Sequence, residues 1–312
     1  MSIQVDILLA TYNGSDFLDE QLESIFQQDY KSFRLIIRDD GSTDDTLNVL
    51  YKWQGIHPQR IEIITDELGN LGPTQNFSRL MEHSEAPYIC FSDQDDKWLP
   101  QKLSKQVKKI QSLEQKNPSK GILVFSDLIL CNEELEVISP SLIDYDKLDP
   151  SAIKTHQLLM QNVPYGCATI INRALLRASS PIHSKALLHD HWLALVASLV
   201  GVIGFIDEAL LFHRIHQRNA SRANSQHKKE SSQQLKDKIS NKNFHNYLYK
   251  QVDQAAALLE KFELLLEDKD QLMLKDFIAL KSTRRLERKW LIIKNKFFKN
   301  EWRNTLKLII RA

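Results

Sequence analysis

The chain has 312 residues, with 41 Lys or Arg against 40 Asp or Glu and a formal charge of +1. That length admits one large domain, or one domain with an appendage, and the charge balance excludes an overall electrostatic attraction to nucleic acid. The charge is unevenly placed: Lys281 to Ala312 carries eleven basic residues against two acidic ones, the pattern of a basic tail that meets an anionic partner.

Cys90, Cys131 and Cys167 each lie in or beside an apolar run, without metal-ligand spacing. They are expected as small buried hydrophobes in a reducing compartment. Met1 to Asp6 leads straight into a strand pattern, so no signal peptide is expected. No uncharged run reaches the ~20 residues that span a bilayer. A cytoplasmic protein is predicted.

In chain order, residues 5–10 read as a core strand and 11–14 as a turn. From Ser15, the apolar residues Phe17, Leu18, Leu22, Ile25 and Phe26 form one helical stripe. Residues 33–37 are a second strand. A polar turn follows, then a helix through Leu47, Leu50 and Tyr51, with Ser42 and Asp45 spaced as a helix cap. Residues 61–64 form a third strand, and the loop 69–73 leads to a helix over 74–82. Residues 88–91 read as a buried strand, and Pro100 opens a helix with Leu103, Val107 and Ile110 on one face. Alternation of this kind to about residue 115 predicts right-handed βαβ units and a mainly parallel sheet. The pattern then becomes mixed. Strands are expected at 122–125, 128–130, 137–138 and 167–171, a helix from about His191, and short apolar runs at 202–205 and 209–212. Residues 221–242 are polar and read as a linker or mobile loop. From Phe244 onward there is no Pro or Gly and the pattern is helical.

Chemistry concentrates at Asp93-Gln94-Asp95-Asp96, directly after the strand over 88–91. Ligands of open α/β sheets bind beyond the carboxyl ends of strands. Carboxylates so close together repel one another unless a cation neutralises them, and hard oxygen ligands suit Mg²⁺, Mn²⁺ or Ca²⁺. A solvated acidic loop capping the next helix is the plain alternative. Neither Gly-x-x-x-x-Gly-Lys-Ser/Thr nor a Gly-x-Gly-x-x-Gly after the first strand is present. P-loop and dinucleotide-binding enzymes are thereby disfavoured.

Five segments in order carry a more specific likeness: Ala10–Gly14, Asp39–Asp44, Asn70–Gly72, Asp93–Trp98, and His189–Ala194 followed by Phe212–Asn219. Together they resemble the inverting family 2 glycosyltransferases, which have the GT-A fold, and in particular the branch containing bacterial rhamnosyltransferases. The likeness covers residues 3–222.

The resemblance implies roles for individual residues. Asp40 matches the residue that accepts a hydrogen bond from N3–H of uracil or thymine; a carboxylate can accept but not donate. Thr11, Tyr12, Asn13 and Asn70 match loops around the nucleotide, and Asp93 and Asp95 the donor-binding Asp-x-Asp. Asp95, Asp96 and His216 are the implied ligands of Mn²⁺ or Mg²⁺, and Arg214 the implied diphosphate partner. His213 lies in the same segment, and Asn219 to Arg222 are expected in a loop that orders over the donor. Asp190 matches the catalytic base, where His189 replaces the family's more usual Glu. A helix N-cap is the structural alternative for Asp190, and a core position the alternative for Trp192.

Basic residues interleave with Trp290, Leu291, Ile292, Ile293, Phe297, Phe298, Trp302, Leu306, Leu308, Ile309 and Ile310. Amphipathic helices of that composition lie on anionic membranes; packing on the catalytic domain or on a second copy of the chain is the alternative. Residues 244–278 read as a packed helical hairpin. The expectation is an α/β GT-A domain over 1–222, a polar linker or mobile loop over 223–242 and a helical, basic region over 243–312. The implied function is metal-dependent, inverting transfer of a sugar from a dTDP- or UDP-sugar, with dTDP-L-rhamnose the leading donor. The implied acceptor is a saccharide or polyprenyl-linked glycan, with the enzyme peripheral at the inner face of the plasma membrane. The rival readings are a sugar nucleotidyltransferase, whose Gly-rich basic loop is missing, and an inactive glycan-binding or membrane-assembly module.

Overall fold

A computed structural model describes residues 4–216 and 241–311. The polar stretch expected to be a linker, and the segment Gln217 to Arg222, lie outside the described residues apart from the start of the last-named region's first helix.

The chain begins β1 (Val5–Thr11), α1 (Ser15–Phe26), β2 (Phe33–Asp39), α2 (Thr46–Ile56), β3 (Ile61–Ile64), α3 (Gly72–Glu82), β4 (Tyr88–Ser92). β1 pairs in parallel with both β2 and β4, and β2 with β3. Alternate residues of these strands feed two cores, as the two-residue period of a strand requires. Leu8, Ile36, Ile89 and Phe91 join the core under α3. Ile7, Leu9, Leu35, Ile37 and Cys90 join the core under α1. A strand buried on both faces reads as a continuous apolar run, which is how these appeared in the sequence.

The second half is β5 (Lys97–Trp98), α4 (Lys102–Lys116), β6 (Gly121–Cys131), β7 (Val137–Ser139), α5 (Leu142–Tyr145), α6 (Thr155–Leu158), β8 (Thr169–Asn172), α7 (Arg173–Ser179), α8 (His189–Val200) and β9 (Gly201–Arg214). The sheet order is β3-β2-β1-β4-β8-β6-β9-β5, with β7 on β6. β8 runs antiparallel to β4 and to β6, whereas β6 and β9 are parallel. The carboxyl ends of β1, β2, β4, β6 and β9 therefore share one edge of the sheet with the start of β8.

Several boundaries differ from the sequence pattern. The apolar runs at 122–125 and 128–130 are one strand, β6, and those at 202–205 and 209–212 are one strand, β9, with register shifts near Ser126 and Asp127 where the pattern broke. Ser42 does not cap α2. Its hydroxyl accepts from Asn13 N and donates to Asp39, closing the turn instead, and Asp45 takes the N-cap position.

Beyond residue 240, helices run Asn241–Phe262, Asp268–Ala279, Arg285–Lys294 and Trp302–Arg311. Their residues Leu248, Val252, Leu258, Phe277, Ile292, Phe297 and Leu308 enter the same core as α3 and α8. The expected hairpin of the first two is present and is packed. No described helix is long and apolar enough to cross a membrane.

Candidate active site

Three parallel strand ends supply one wall. Thr11, at the end of β1, is buried and donates its hydroxyl to Asp39. Asp40 follows β2 and is 3% exposed; it accepts from Arg38, from Leu71 N and from Gly72 N at 2.7–2.8 Å. Arg38, 2% exposed, also binds Asp66 and the carbonyl of Gly69. One buried guanidinium thus fixes the loop carrying Asn70 against Asp40, and holds the Asp66 carboxyl down at about 2 by direct hydrogen bonding. Tyr12 is half exposed, and its backbone is clamped from both sides by the Gln94 amide. A Cβ at Gly14 would fall 2.1 Å from Gln94 Oε1, so any larger residue there would push the Gln94 amide out of its clamp. Asn13 turns away and accepts from Thr43 N, joining the first two loops.

After β4 the chain folds back as β5, whose pairing of Lys97 with Phe212 brings the acidic loop against the end of β9. Two acid–imidazole pairs result. Asp96 Oδ1 meets His213 Nδ1 at 2.9 Å, and Asp95 Oδ2 meets His216 Nε2 at 2.7 Å. The histidine that reaches Asp96 is therefore His213, while His216 faces Asp95. Arg214 sits behind this layer, donating to Asp95 O at 3.0 Å and also to Glu133 O and the Glu20 carboxylate, with its guanidinium 4.6 Å from the Phe17 ring. It shapes the acidic loop rather than lining the cavity.

Burial and the Asp96 and Asp95 carboxylates push the Asp93 carboxyl well above its usual range. Burial alone would lower His213, but Asp96, Asp95 and Asp93 hold it up at about 9, so it is an imidazolium at neutral pH. Asp96 Oδ2 is buried with no hydrogen-bond partner among the described residues. An orphaned carboxylate oxygen amid repelling acids is the arrangement a divalent cation satisfies, and these residues fit such an ion. Asp96, His213 and Cys167 place ligand atoms within 4.8 Å of one another. Cys167 is an unsuitable member: burial and the nearby carboxylates keep its thiol protonated, and hard cations prefer oxygen.

The facing residues come from Gly166 and the start of α8. Asp190 is inside the first turn of α8 rather than its N-cap, which is Leu188. It is 8% exposed and accepts from Gly166 N at 3.0 Å and from His191 N at 2.6 Å. Burial outweighs these bonds and pushes its carboxyl up to about 6. His189 packs 3.9 Å from the Phe77 ring and 5.2 Å from Phe91. Neither of its ring nitrogens has a partner among the described residues, and burial pushes it down to about 3, leaving it neutral. A Cβ at Gly166 would lie 2.5 Å from His189 Nε2, so glycine there permits the approach. His191 donates Nε2–H to Leu158 O at 2.7 Å, which leaves Nδ1 to accept from Gln254. Trp192 is fully buried and donates to Ser179 O; it is a core residue.

A cavity of about 480 Å³ unites Thr11, Tyr12, Asp40, Asn70, Asp93, Asp95 and Asp190 with His189 and His213. Asn13, Asp96, Arg214 and His216 stand outside its lining. The stretch Asn162–Gly166, which forms part of it, went unnoticed in the sequence because it carries no charged side chain. Arg38 had a readable signal: a cation directly after the apolar run Leu35-Ile36-Ile37 of β2.

Residues 6–119 match the sequence profile of Glycosyl transferase family 2. Over 102 residues, 32% of this chain, the sequence is 39% identical to dTDP-rhamnosyl transferase RfbG of Shigella flexneri, and the match spans 35% of that relative's length. It is 26% identical over 177 residues to UDP-Glc:alpha-D-GlcNAc-diphosphoundecaprenol beta-1,3-glucosyltransferase WfgD of Escherichia coli, covering 56% of this chain and 63% of the relative. Among solved structures, S. aureus TarS 1-349 in complex with UDP-GlcNAc is similar with a TM-score of 0.55 at 16% identity, over 89% of this chain and 71% of that one. Mannosyltransferase PcManGT from Pyrobaculum calidifontis, in complex with GDP-Man and Mn2+, has a TM-score of 0.57 at 16% identity, over 95% of this chain and 74% of that one. The likeness to glycosyl transferase family 2 thus covers residues 6–119, and the chain has the GT-A fold.

Proposed function

We propose that this protein is an inverting glycosyltransferase that moves a sugar from a nucleoside diphosphate onto a saccharide acceptor. The observation that carries the reading is Asp190: a carboxylate held near pH 6 in the same cavity as Asp40, Asp93 and Asp95. Such a group is ionised at neutral pH yet basic enough to accept a proton, the property a general base needs. The acceptor hydroxyl oxygen attacks C1 of the donor sugar while its proton passes to Asp190. The C1–O bond to the diphosphate breaks, and its electron pair leaves with the nucleoside diphosphate. A single displacement inverts C1, the logic of inverting glycosidases.

Asp40 reads the base. Its two oxygens offer about four acceptor sites, and three are taken by Arg38, Leu71 N and Gly72 N, which leaves capacity for the N3–H of uracil or thymine. Asp96 and Asp95 would hold Mn²⁺ or Mg²⁺, and His213 could join them only by giving up the proton it carries beside Asp96. Bound there, the ion supplies Lewis-acid neutralisation of the departing diphosphate. Thr11, Tyr12 and Asn70 bound the nucleotide end. The names of the relatives favour dTDP-rhamnose or a UDP-hexose as donor, and a lipid-linked glycan of a cell-surface polysaccharide as acceptor.

Leu286, Trp290 and Ile293 form an exposed apolar stripe on one helix, beside Arg284 and Arg285. This suits peripheral attachment to an anionic membrane, with 1–222 as the catalytic part and 243–312 as its helical partner.

The test is titration calorimetry with dTDP-rhamnose, UDP-glucose and UDP-galactose, with and without Mn²⁺, alongside a transfer assay. Asp190→Asn is expected to cut transfer by about 10²–10⁴-fold while donor affinity stays as in the wild type. Loss of donor binding along with folding would show Asp190 to be structural and overturn the assignment.

A further inference from the structure

We propose that a second, smaller cavity, at the seam between α6 and the C-terminal helices, is a binding site for a phosphate group. It has a volume of about 200 Å³, and Lys296, Lys299, Asn300, Gln157, His156 and Asp149 line it. That is below the ~300–1,000 Å³ of pockets that enclose a whole drug-sized ligand, so it suits a headgroup rather than a nucleotide. The proposal stands independently of the glycosyltransferase reading.

The lining is rich in side-chain donors that make no hydrogen bond or ion pair among the described residues. Neither lysine forms an ion pair with a described residue, and Lys299 Nζ lies 5.5 Å from the Tyr247 ring. The nearby acids are engaged elsewhere. Glu301 faces Lys147 at 3.7 Å and accepts from Asn304, and Asp149 accepts from Ser151 N and Oγ. Asn300 Nδ2 is buried with no partner among the described residues, while its backbone is fixed by Gln161 Oε1 at 3.2 Å. Gln157 spends its oxygen on Lys154 N, which leaves its amide NH₂ as a donor.

The electrostatics agree. Burial pulls the Lys299 ammonium below its usual range. Burial, with Lys154 and Lys296, does the same for His156. The lining sets two ammonium groups, Lys296 and Lys299, against one carboxylate, Asp149. A phosphate offers several acceptor oxygens to two ammonium groups and two amides, and charge-assisted bonds of this kind are the stronger class. Phe298, 36% exposed at the rim, is compatible with either of two sources of that phosphate: a soluble ester or a lipid headgroup.

The experiment uses the full chain and two probes: glycerol 1-phosphate in titration calorimetry, and phosphatidylcholine vesicles with and without phosphatidylglycerol in co-sedimentation. The variant Lys296→Gln with Lys299→Gln should weaken binding about tenfold or more. Lys296→Arg with Lys299→Arg should restore most of it, and Lys108→Gln with Lys116→Gln, an equal charge loss on the exposed face of α4, should leave it nearly unchanged. Binding of the ester assigns the site to a soluble ligand, and binding of the anionic vesicles alone assigns it to a headgroup. The proposal is overturned if neither probe binds, or if the two glutamine pairs weaken binding equally, which marks diffuse surface charge. Nucleotide-sugar binding in the larger cavity is read separately, so failure here leaves that reading untouched.

Discussion

Asp190 is the side chain on which the chemistry turns, and its environment makes pH a direct probe. Its carboxyl is ionised only above about pH 6, so kcat/KM should fall as pH drops below about 6; a profile flat to pH 4.5 would assign the base elsewhere. The same shift has a stability consequence of opposite sense. The folded-state value lies above the ordinary 3.8, so the folded protein binds this proton more tightly than the unfolded chain. The resulting stabilisation is complete below about pH 4 and is lost as pH rises through about 6. Its size is about 3 kcal/mol at most. Chemical denaturation of wild type and Asp190→Asn at pH 4 and pH 7 should show the extra pH dependence in the wild type only.

Asp96 and Arg38 make a contrasting pair of buried charged groups. Asp96→Asn removes the orphaned oxygen's charge. Donor binding by the variant should then be insensitive to chelator, whereas the wild type should lose about tenfold or more in affinity when EDTA is added. Arg38→Met strands Asp40 in a buried position. Breaking a buried pair from one side costs about 3–5 kcal/mol, which urea unfolding at neutral pH would register as a lower midpoint.

The helix Asn241–Phe262 buttresses the element that carries the base. Gln254, 1% exposed, accepts from Leu187 N at 2.8 Å and approaches His191 Nδ1 at 3.4 Å. Gln251 donates to Met160 O. These bonds grip the turn just before α8 and the residue just after Asp190. Gln254→Leu leaves both partners unsatisfied at a cost of about 1–3 kcal/mol. It is expected to lower kcat several-fold with donor affinity unchanged, because it disturbs the base and not the nucleotide pocket. An unchanged kcat at lower stability would reduce Gln254 to a structural role.

The two cores set how the chain holds together. One is closed by α1 and α4 on one face of the sheet. The other needs Leu248, Val252, Leu258, Phe277 and Phe297 from beyond residue 240 to cover α3 and α8. Residues 1–240 alone should therefore expose that face and fail to give a soluble, cooperatively folding protein. A monomeric fragment with a sharp thermal transition would show the helical region to be dispensable.

Hydrophobic period and motif order were enough to read the alternating first half, the strand-end positions of Thr11, Asp40 and Asp93, and the candidate base. Those features are local: strand and helix periods act over a few residues, and a carboxylate after a buried strand lies at the ligand edge of any parallel sheet. Pairings between distant segments were not legible. That Asp96 meets His213 and Asp95 meets His216 follows from β5 returning onto β9. The raised carboxyl of Asp190 follows from its burial, which outweighs the hydrogen bond from Gly166 N, and the support of its helix by Gln254 crosses 63 positions of chain. Burial, desolvation and long-range register are properties of assembled surfaces, and residue order alone does not encode them.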